Sequence, residues 1–239
     1  MAHNIFRNEY MQIPVVTRFY VTACTLTTLA VQMNVVSNLE LLYHPHLILK
    51  GEVWRLVTCF LFFGYLGFNF LFNMVFLYRF SRKLEEGCFA GNPAGFIVML
   101  LFGAVLSLLV STFMIRMLFL GECLATMIVY VWSRRNPGVM YNFFGLFTFQ
   151  APYLPWLLLL LSFLFGGSVL SDLVGIGIGH AYYFLEDVFP SKPGGFKILR
   201  TPQFMKTLFN GPQADPNYNV LPEDRPGGFN WGEGRPVGQ

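Results

Sequence analysis

Apolar residues along this chain come in long runs, not in the short alternations of a half-exposed strand or surface helix. Residues 56–78 form a stretch of 23 without a charge, and residues 96–115 another 20 after Asn92-Pro93. A helix rises 1.5 Å per residue and needs about 20 apolar residues to cross about 30 Å of hydrocarbon. Both runs therefore predict membrane-spanning helices. Residues 17–37 predict another, diluted by five threonines, Gln32 and Asn34, with Arg18 as the only charge. No charge stands between Arg135 and Asp172; Pro152 and Pro155 suit a first helical turn, which places a span from there through residues 157–161 to Phe165. Residues 117–132, which contain Glu122, and residues 173–185, bounded by Asp172 and Glu186-Asp187, complete six spans.

Composition agrees with that pattern. Of 239 residues, 54% are hydrophobic, 18% aromatic and only 12% charged, about half the charge density with which a soluble domain solvates its surface. An all-α integral membrane protein is expected, and a soluble globular enzyme is excluded. The net charge of +3 matters less than its placement. Six spans put 13 of the 16 Lys and Arg residues on one side, leaving Lys50, Arg55 and Arg116 on the other. By the positive-inside rule both termini are cytosolic. Arg7, Glu9 and Arg18 interrupt any signal-peptide core, so the first span is expected to be retained. After Pro190 the glycine-proline pairs multiply and apolar residues thin out. The organisation expected is a cytosolic segment at 1–16, a six-helix membrane domain at 17–189 and a flexible cytosolic tail at 190–239.

Cys24, Cys59, Cys88 and Cys123 form no CxxC pair, and no His/Cys cluster has zinc spacing. There is no Walker-type loop. Neither metal nor cofactor is expected, and no nucleic-acid partner. No internal repeat is visible, which disfavours an inverted-repeat transporter.

Two spans are too short. The 13 residues of 173–185 measure about 20 Å and the 16 of 117–132 about 24 Å, below the hydrocarbon thickness. Such helices either hide behind longer neighbours or thin the bilayer around them. Gly175 and Gly179, four apart, give one helix face on which another backbone packs closely. Asn69 and Asn73 likewise share a face; with Glu122 and His180 they are polar groups inside spans. Such groups hydrogen-bond between helices or line a cavity.

Several motifs together resemble the rhomboid superfamily and, within it, the derlins, in particular the derlin-2 branch. They are Trp54-Arg55 in the first luminal loop, Gly175-x-x-x-Gly179-His180, the stretch Phe68-Asn-Phe-Leu-Phe-Asn73, Tyr130-Val-Trp-Ser-Arg-Arg-Asn-Pro137, Phe184-Leu-Glu-Asp187, and Arg225-Pro-Gly-Gly-Phe-Asn-Trp-Gly-Glu-Gly234. The resemblance implies a rhomboid-like bundle in the endoplasmic reticulum membrane. An active rhomboid has a serine in a Gly-x-Ser-Gly setting; the corresponding stretch here reads Gly121-Glu122-Cys123-Leu124, and the usual His-x-x-x-Asn reads Asn69-x-x-x-Asn73. A pseudoprotease with no catalytic residue is implied, with a Cys123–His180 dyad as the enzymatic alternative.

The resemblance further implies a role in ER-associated degradation. The chain would bind misfolded luminal or membrane clients and help return them to the cytosol, with an ER ubiquitin-ligase complex and other derlins as partners. Phe229, Trp231, Gly232, Gly234 and Arg235 are similar to the SHP box that docks the AAA+ ATPase valosin-containing protein, although Arg235-Pro236 stands where Gln-Arg is usual. The mechanism expected is physical: clients enter a polar cleft between the second and fifth spans, lined by Asn69, Asn73 and His180, beside locally thinned lipid.

Overall fold

The computed structural model describes residues 10–143, 147–192 and 202–209, with Arg7, Gly145 and Leu199. The tail motif at 229–235 lies outside the described residues. The architecture is mostly helical. Among the described residues six helices exceed ten residues: α1 (Val15–Gln32), α2 (Phe68–Lys83), α3 (Pro93–Phe113), α4 (Gly121–Arg135), α5 (Leu154–Leu164) and α6 (Val169–Tyr183). A short helix, α7 (Gln203–Phe209), lies against α3. Strands β1 (Met140–Phe143) and β2 (Phe147–Gln150) form an antiparallel hairpin with Met140 opposite Gln150.

Helix lengths vary widely. At 1.5 Å per residue the 21 residues of α3 reach about 32 Å, the 15 of α4 and of α6 about 22 Å, and the 11 of α5 about 16 Å. Among the described residues one helix, α3, is long and apolar enough to cross a membrane by length and composition.

The expected continuous span at 56–78 is not one helix. A single turn, Arg55–Thr58, is followed by irregular chain until α2 starts at Phe68. Gly64 takes a positive φ of 94°, where other residues are strained, and the helix cannot run through it. The irregular segment is nonetheless buried: Cys59, Phe60, Phe62 and Phe63 are part of the core. Its backbone finds partners inside the protein, as non-helical chain at depth must. Cys59 O accepts from Leu120 N (2.9 Å) and Phe60 O from the Tyr20 hydroxyl (3.1 Å).

Helix α4 is the axis of the fold. Every residue from Cys123 to Ser133 is buried, the signature of a helix surrounded on all sides, and α2, α3, α5 and α6 all pack on it. Helix α6 lies closest. A Cβ on Gly175 would sit 2.5 Å from the Cys123 carbonyl oxygen and 2.9 Å from Thr126 Cβ, and one on Gly179 would sit 2.9 Å from Tyr130 Cβ. Gly177, between them, faces open space. These pairings make α4 and α6 parallel neighbours, whereas Ser107 against Cys123 and Gly103 against Met127 make α3 antiparallel to α4.

At the Arg135 end of the bundle, charged groups are tied down. Arg135 clamps Asp187 through two hydrogen bonds of 2.9 and 3.1 Å. Lys83 lies 4.6 Å over the Trp132 ring and Arg79 donates to the Tyr141 hydroxyl, which holds the hairpin against α2 and α4.

Candidate functional site: a polar cleft beneath aromatic rings

Four helices bring polar side chains to one place near the Gly121 end. Helix α2 presents Asn69 and Asn73, one turn apart; α4 presents Glu122 and Thr126, also one turn apart; α5 adds Ser162; α6 adds Asp172 behind its cap Ser168. Asn73 Nδ2 donates to Asn69 Oδ1 at 3.4 Å. Glu122 lines the same cavity as Asn69 and Ser168. Thr126 Oγ1 donates to Asp172 Oδ1 at 2.6 Å. Glu122 and Thr126 thus set polar groups along one face of α4, and Asp172 of α6 meets the second of them. Asp172 is only 5% exposed, and its second oxygen, Oδ2, has no hydrogen-bond partner.

Space adjoins this line. A cavity of about 480 Å³ opens at the Gly121 end, with Asn69, Arg116, Glu122, Ser168 and Ser171 on its wall. A deeper void of about 20 Å³ lies between Asn73, Thr126, Ser162 and Asp172. It has room for about one water molecule. The backbones of α2 and α5 do not pack closely here. Aromatic rings bridge the seam instead: Phe165 stands 4.8 Å from Phe68 and 5.4 Å from Phe72, centroid to centroid. Edge-to-face ring pairs contribute about 1 kcal/mol each, so the seam is closed by contacts that separate without breaking a backbone hydrogen bond.

Other residues singled out in the sequence lie elsewhere. His180 is outside the cleft, contrary to expectation. Eight residues beyond Asp172 along α6, it is about 12 Å away in rise. Its Nδ1 shares a 2.8 Å hydrogen bond with the Tyr130 hydroxyl, which also accepts from Arg134 Nε at 3.0 Å. Gly179 packs on Tyr130, so His180 stands level with Tyr130, about 10 Å in rise past Cys123. Cys123 is fully buried and its Sγ meets Ser107 Oγ at 3.3 Å. A nucleophile and base need hydrogen-bonding proximity; the Cys123–His180 dyad lacks it.

Arg55 and Trp54 point in opposite senses. The Arg55 guanidinium is buried, with Nε on Glu52 Oε2 at 2.5 Å and Nη1 on the carbonyls of Leu39 and Leu42 at 2.6 and 3.1 Å. It knits the 38–58 loop together. Trp54 is 56% exposed beside exposed Leu49, Val53 and Val57, the composition of a surface resting in a lipid interface.

The sequence reading named Asn69, Asn73 and Glu122 but did not join Asp172, Thr126 and Ser162 to them. A signal existed: Asp172 precedes Gly175 by three and Gly179 by seven, which sets it on the glycine face of α6.

This chain matches the model of the Der1-like family over residues 13–203. The chain belongs to that family. Among curated proteins it is 46% identical to derlin-2.1 of Zea mays over 222 residues, covering 88% of this chain and 87% of the relative. A probable derlin-2 homolog of Dictyostelium discoideum is 44% identical over 213 residues, 86% and 84% of the two chains. Derlin-2.2 of Arabidopsis thaliana is 43% identical over 226 residues, 90% and 91%. The stretch matched by the Der1-like model contains every residue of the polar cleft, Trp54 and Arg55, and both packing glycines. It ends before the tail motif at 229–235.

Proposed function

We propose that this chain is a non-catalytic, multi-pass component of the endoplasmic reticulum membrane that takes part in ER-associated degradation. It admits misfolded luminal or membrane clients at the seam between α2 and α5 and eases their return to the cytosol. The observation that carries the reading is the polar line of half-buried Asn73, Asn69 and Glu122 and buried Thr126 and Asp172 behind a seam bridged by aromatic rings. A polar stretch of client in hydrocarbon lacks hydrogen-bond partners; this line supplies them within the protein.

The short helices support the second half of the proposal. A helix of about 16 Å such as α5 draws water and headgroups inward or thins the adjacent bilayer. The α1–α6 helices cross in alternation, so both termini are cytosolic and the 38–58 loop is luminal, with Trp54 at the interface. No bond is broken in the client. Force comes from a partner: Phe229, Trp231, Gly232, Gly234 and Arg235 dock the valosin-containing AAA+ ATPase, aromatic anchors ordering a glycine-rich strip. A ubiquitin-ligase complex and further derlins complete the assembly.

Site-specific photocrosslinking tests the cleft. A crosslinker at Phe72 or Phe165 captures a stalled client, whereas one at Phe113, exposed on α3, does not; equal capture at all three positions refutes the cleft. Truncation after Leu221 abolishes co-purification of the ATPase if the tail is the docking site.

A further inference from the structure

Helix α3, about 32 Å long, matches about 30 Å of hydrocarbon, so the chain that leaves it marks the level of the lipid head groups. Phe113 and Met114, at its end, are exposed and apolar; Arg116, two residues on, is exposed and charged. Apolar and then basic is the order that a lipid–water boundary imposes. Arg116 also stands on the wall of the cavity of about 480 Å³, and Glu122, in the first turn of α4, stands on the same wall. Among the described residues the ion pairs join Arg55 to Glu52, Arg82 to Glu86 and Arg135 to Asp187. Arg116 and Glu122 share a cavity but no ion pair.

Among the described residues on that wall these two are the charged ones. A simple anion would face Glu122 and a simple cation Arg116, so neither is complementary to the site as a whole. A molecule that carries both charges is. Its phosphate fits the guanidinium, whose planar fork takes phosphate oxygens in pairs. Its ammonium fits the carboxylate, with the Asn69 and Ser168 oxygens on the same wall as further acceptors. The Phe62 and Phe119 rings, 4.9 Å apart between centroids, add an aromatic wall against which an ammonium packs. The cavity volume falls in the range of sites that hold small ligands. Its rim is apolar and open: Tyr65, Leu118 and Leu170 are 60, 56 and 45% exposed. Such a rim fits hydrocarbon chains and gives nothing to a soluble phosphoester.

We infer that this cavity binds the zwitterionic head group of a phospholipid, with its phosphate on Arg116, its ammonium toward Glu122 and its acyl chains over Tyr65, Leu118 and Leu170. The inference goes beyond the client reading and stands without it, because it needs no client. The site discriminates by the placement of charge. A lipid whose head group is anionic and lacks an ammonium satisfies Arg116 but leaves Glu122 facing a like charge.

The test uses the full-length protein in liposomes of phosphatidylcholine, phosphatidylethanolamine and phosphatidylglycerol in equal amounts, one of the three carrying a diazirine in its acyl chain in each preparation. Crosslinks are mapped by peptide mass spectrometry and normalised to those at Leu101 and Val105, exposed along α3. The choline and ethanolamine lipids should label the peptides around Leu118 and Leu170 about tenfold more than the glycerol lipid, the ratio that one charge-assisted contact supplies. Arg116→Gln lowers labelling there by all three. Glu122→Gln removes the like-charge contact, and the glycerol lipid then labels as strongly as the other two. Glycerophosphocholine, which has the head group without the chains, displaces no label; displacement would assign the cavity to a soluble phosphodiester and overturn the lipid. Equal labelling by the three lipids in the parent, or a preference that neither variant changes, also overturns the inference and leaves the client cleft standing. Arg116 is exposed, so its variant keeps the test decisive even if Glu122→Gln does not fold.

Discussion

Glu85 caps a helix to which it does not belong. Its carboxylate, on the π-helical turn that ends α2, accepts the backbone N–H of Thr17 at 2.8 Å and the Thr17 hydroxyl at 2.7 Å, with Val16 N at 3.0 Å. Pro14, at the N-cap of α1, offers no side-chain acceptor, so a residue 68 positions away satisfies the orphan N–H groups of the first turn and places negative charge where the helix dipole favours it.

Glu85→Ala should therefore destabilise the fold by about 2 kcal/mol or more, because a buried donor pair is left without an acceptor. Glu85→Gln keeps one acceptor oxygen and should cost less. Thermal unfolding of the purified protein in detergent reads both; equal midpoints for parent and Glu85→Ala would contradict the cap.

The glycines of α6 divide by what they face. Gly175→Leu and Gly179→Leu drive a side chain into the Cys123 carbonyl and Tyr130 respectively, and each should cost ~3 kcal/mol or more by overpacking. Gly177→Ala meets nothing within 4 Å and, as a Gly to Ala change in a helix, should be neutral or stabilising by up to about 1 kcal/mol. Expression level and size-exclusion profile would separate them, and identical behaviour of all three would place the α4–α6 contact elsewhere.

Arg55 and Trp54, adjacent in sequence, should respond differently. Arg55→Ala frees the Leu39 and Leu42 carbonyls and leaves Glu52 alone, so hydrogen exchange across 38–58 rises sharply. Arg55→Lys should rescue little, since one ammonium does not reproduce a guanidinium that reaches three acceptors. Trp54→Ala leaves exchange in that loop near the parent level and instead reduces quenching of the protein's tryptophan fluorescence by brominated lipid.

Thiol chemistry separates Cys88 from the rest. Cys88 is exposed, while Cys24, Cys59 and Cys123 are buried. A maleimide should label one site quickly in the folded protein and the other three after denaturation. Cys123→Ala and His180→Ala should both leave client turnover near the parent level, because the two side chains do not meet. Loss of turnover in both variants, with folding intact, would reinstate a dyad.

Much of the helical content was legible along the chain, for a local reason. Run length, charge breaks and Asn92-Pro93 act within a few residues, and the helices at 15–32, 93–113, 121–135, 154–164 and 169–183 overlap the spans those signals mark, although α4 runs on through Arg134-Arg135 and α6 starts before Asp172. The face shared by Asn69 and Asn73, and that shared by Gly175 and Gly179, follow from 3.6 residues per turn and need no neighbour. The residues between 59 and 67 failed the same logic. An apolar run does not distinguish a lipid-facing helix from irregular chain buried in protein, since both avoid water.

By itself, then, the sequence determined the class of protein, its helices and the side chains that each helix offers as a set. Tertiary structure decided which sets meet. The cap of Thr17 by Glu85, the pairing of Thr126 with Asp172, and the placement of His180 against Tyr130 instead of in the cleft all depend on the axial register of one helix against another. That register is set by where small residues let backbones approach, as at Gly175 and Gly179. No run of neighbouring residues encodes it.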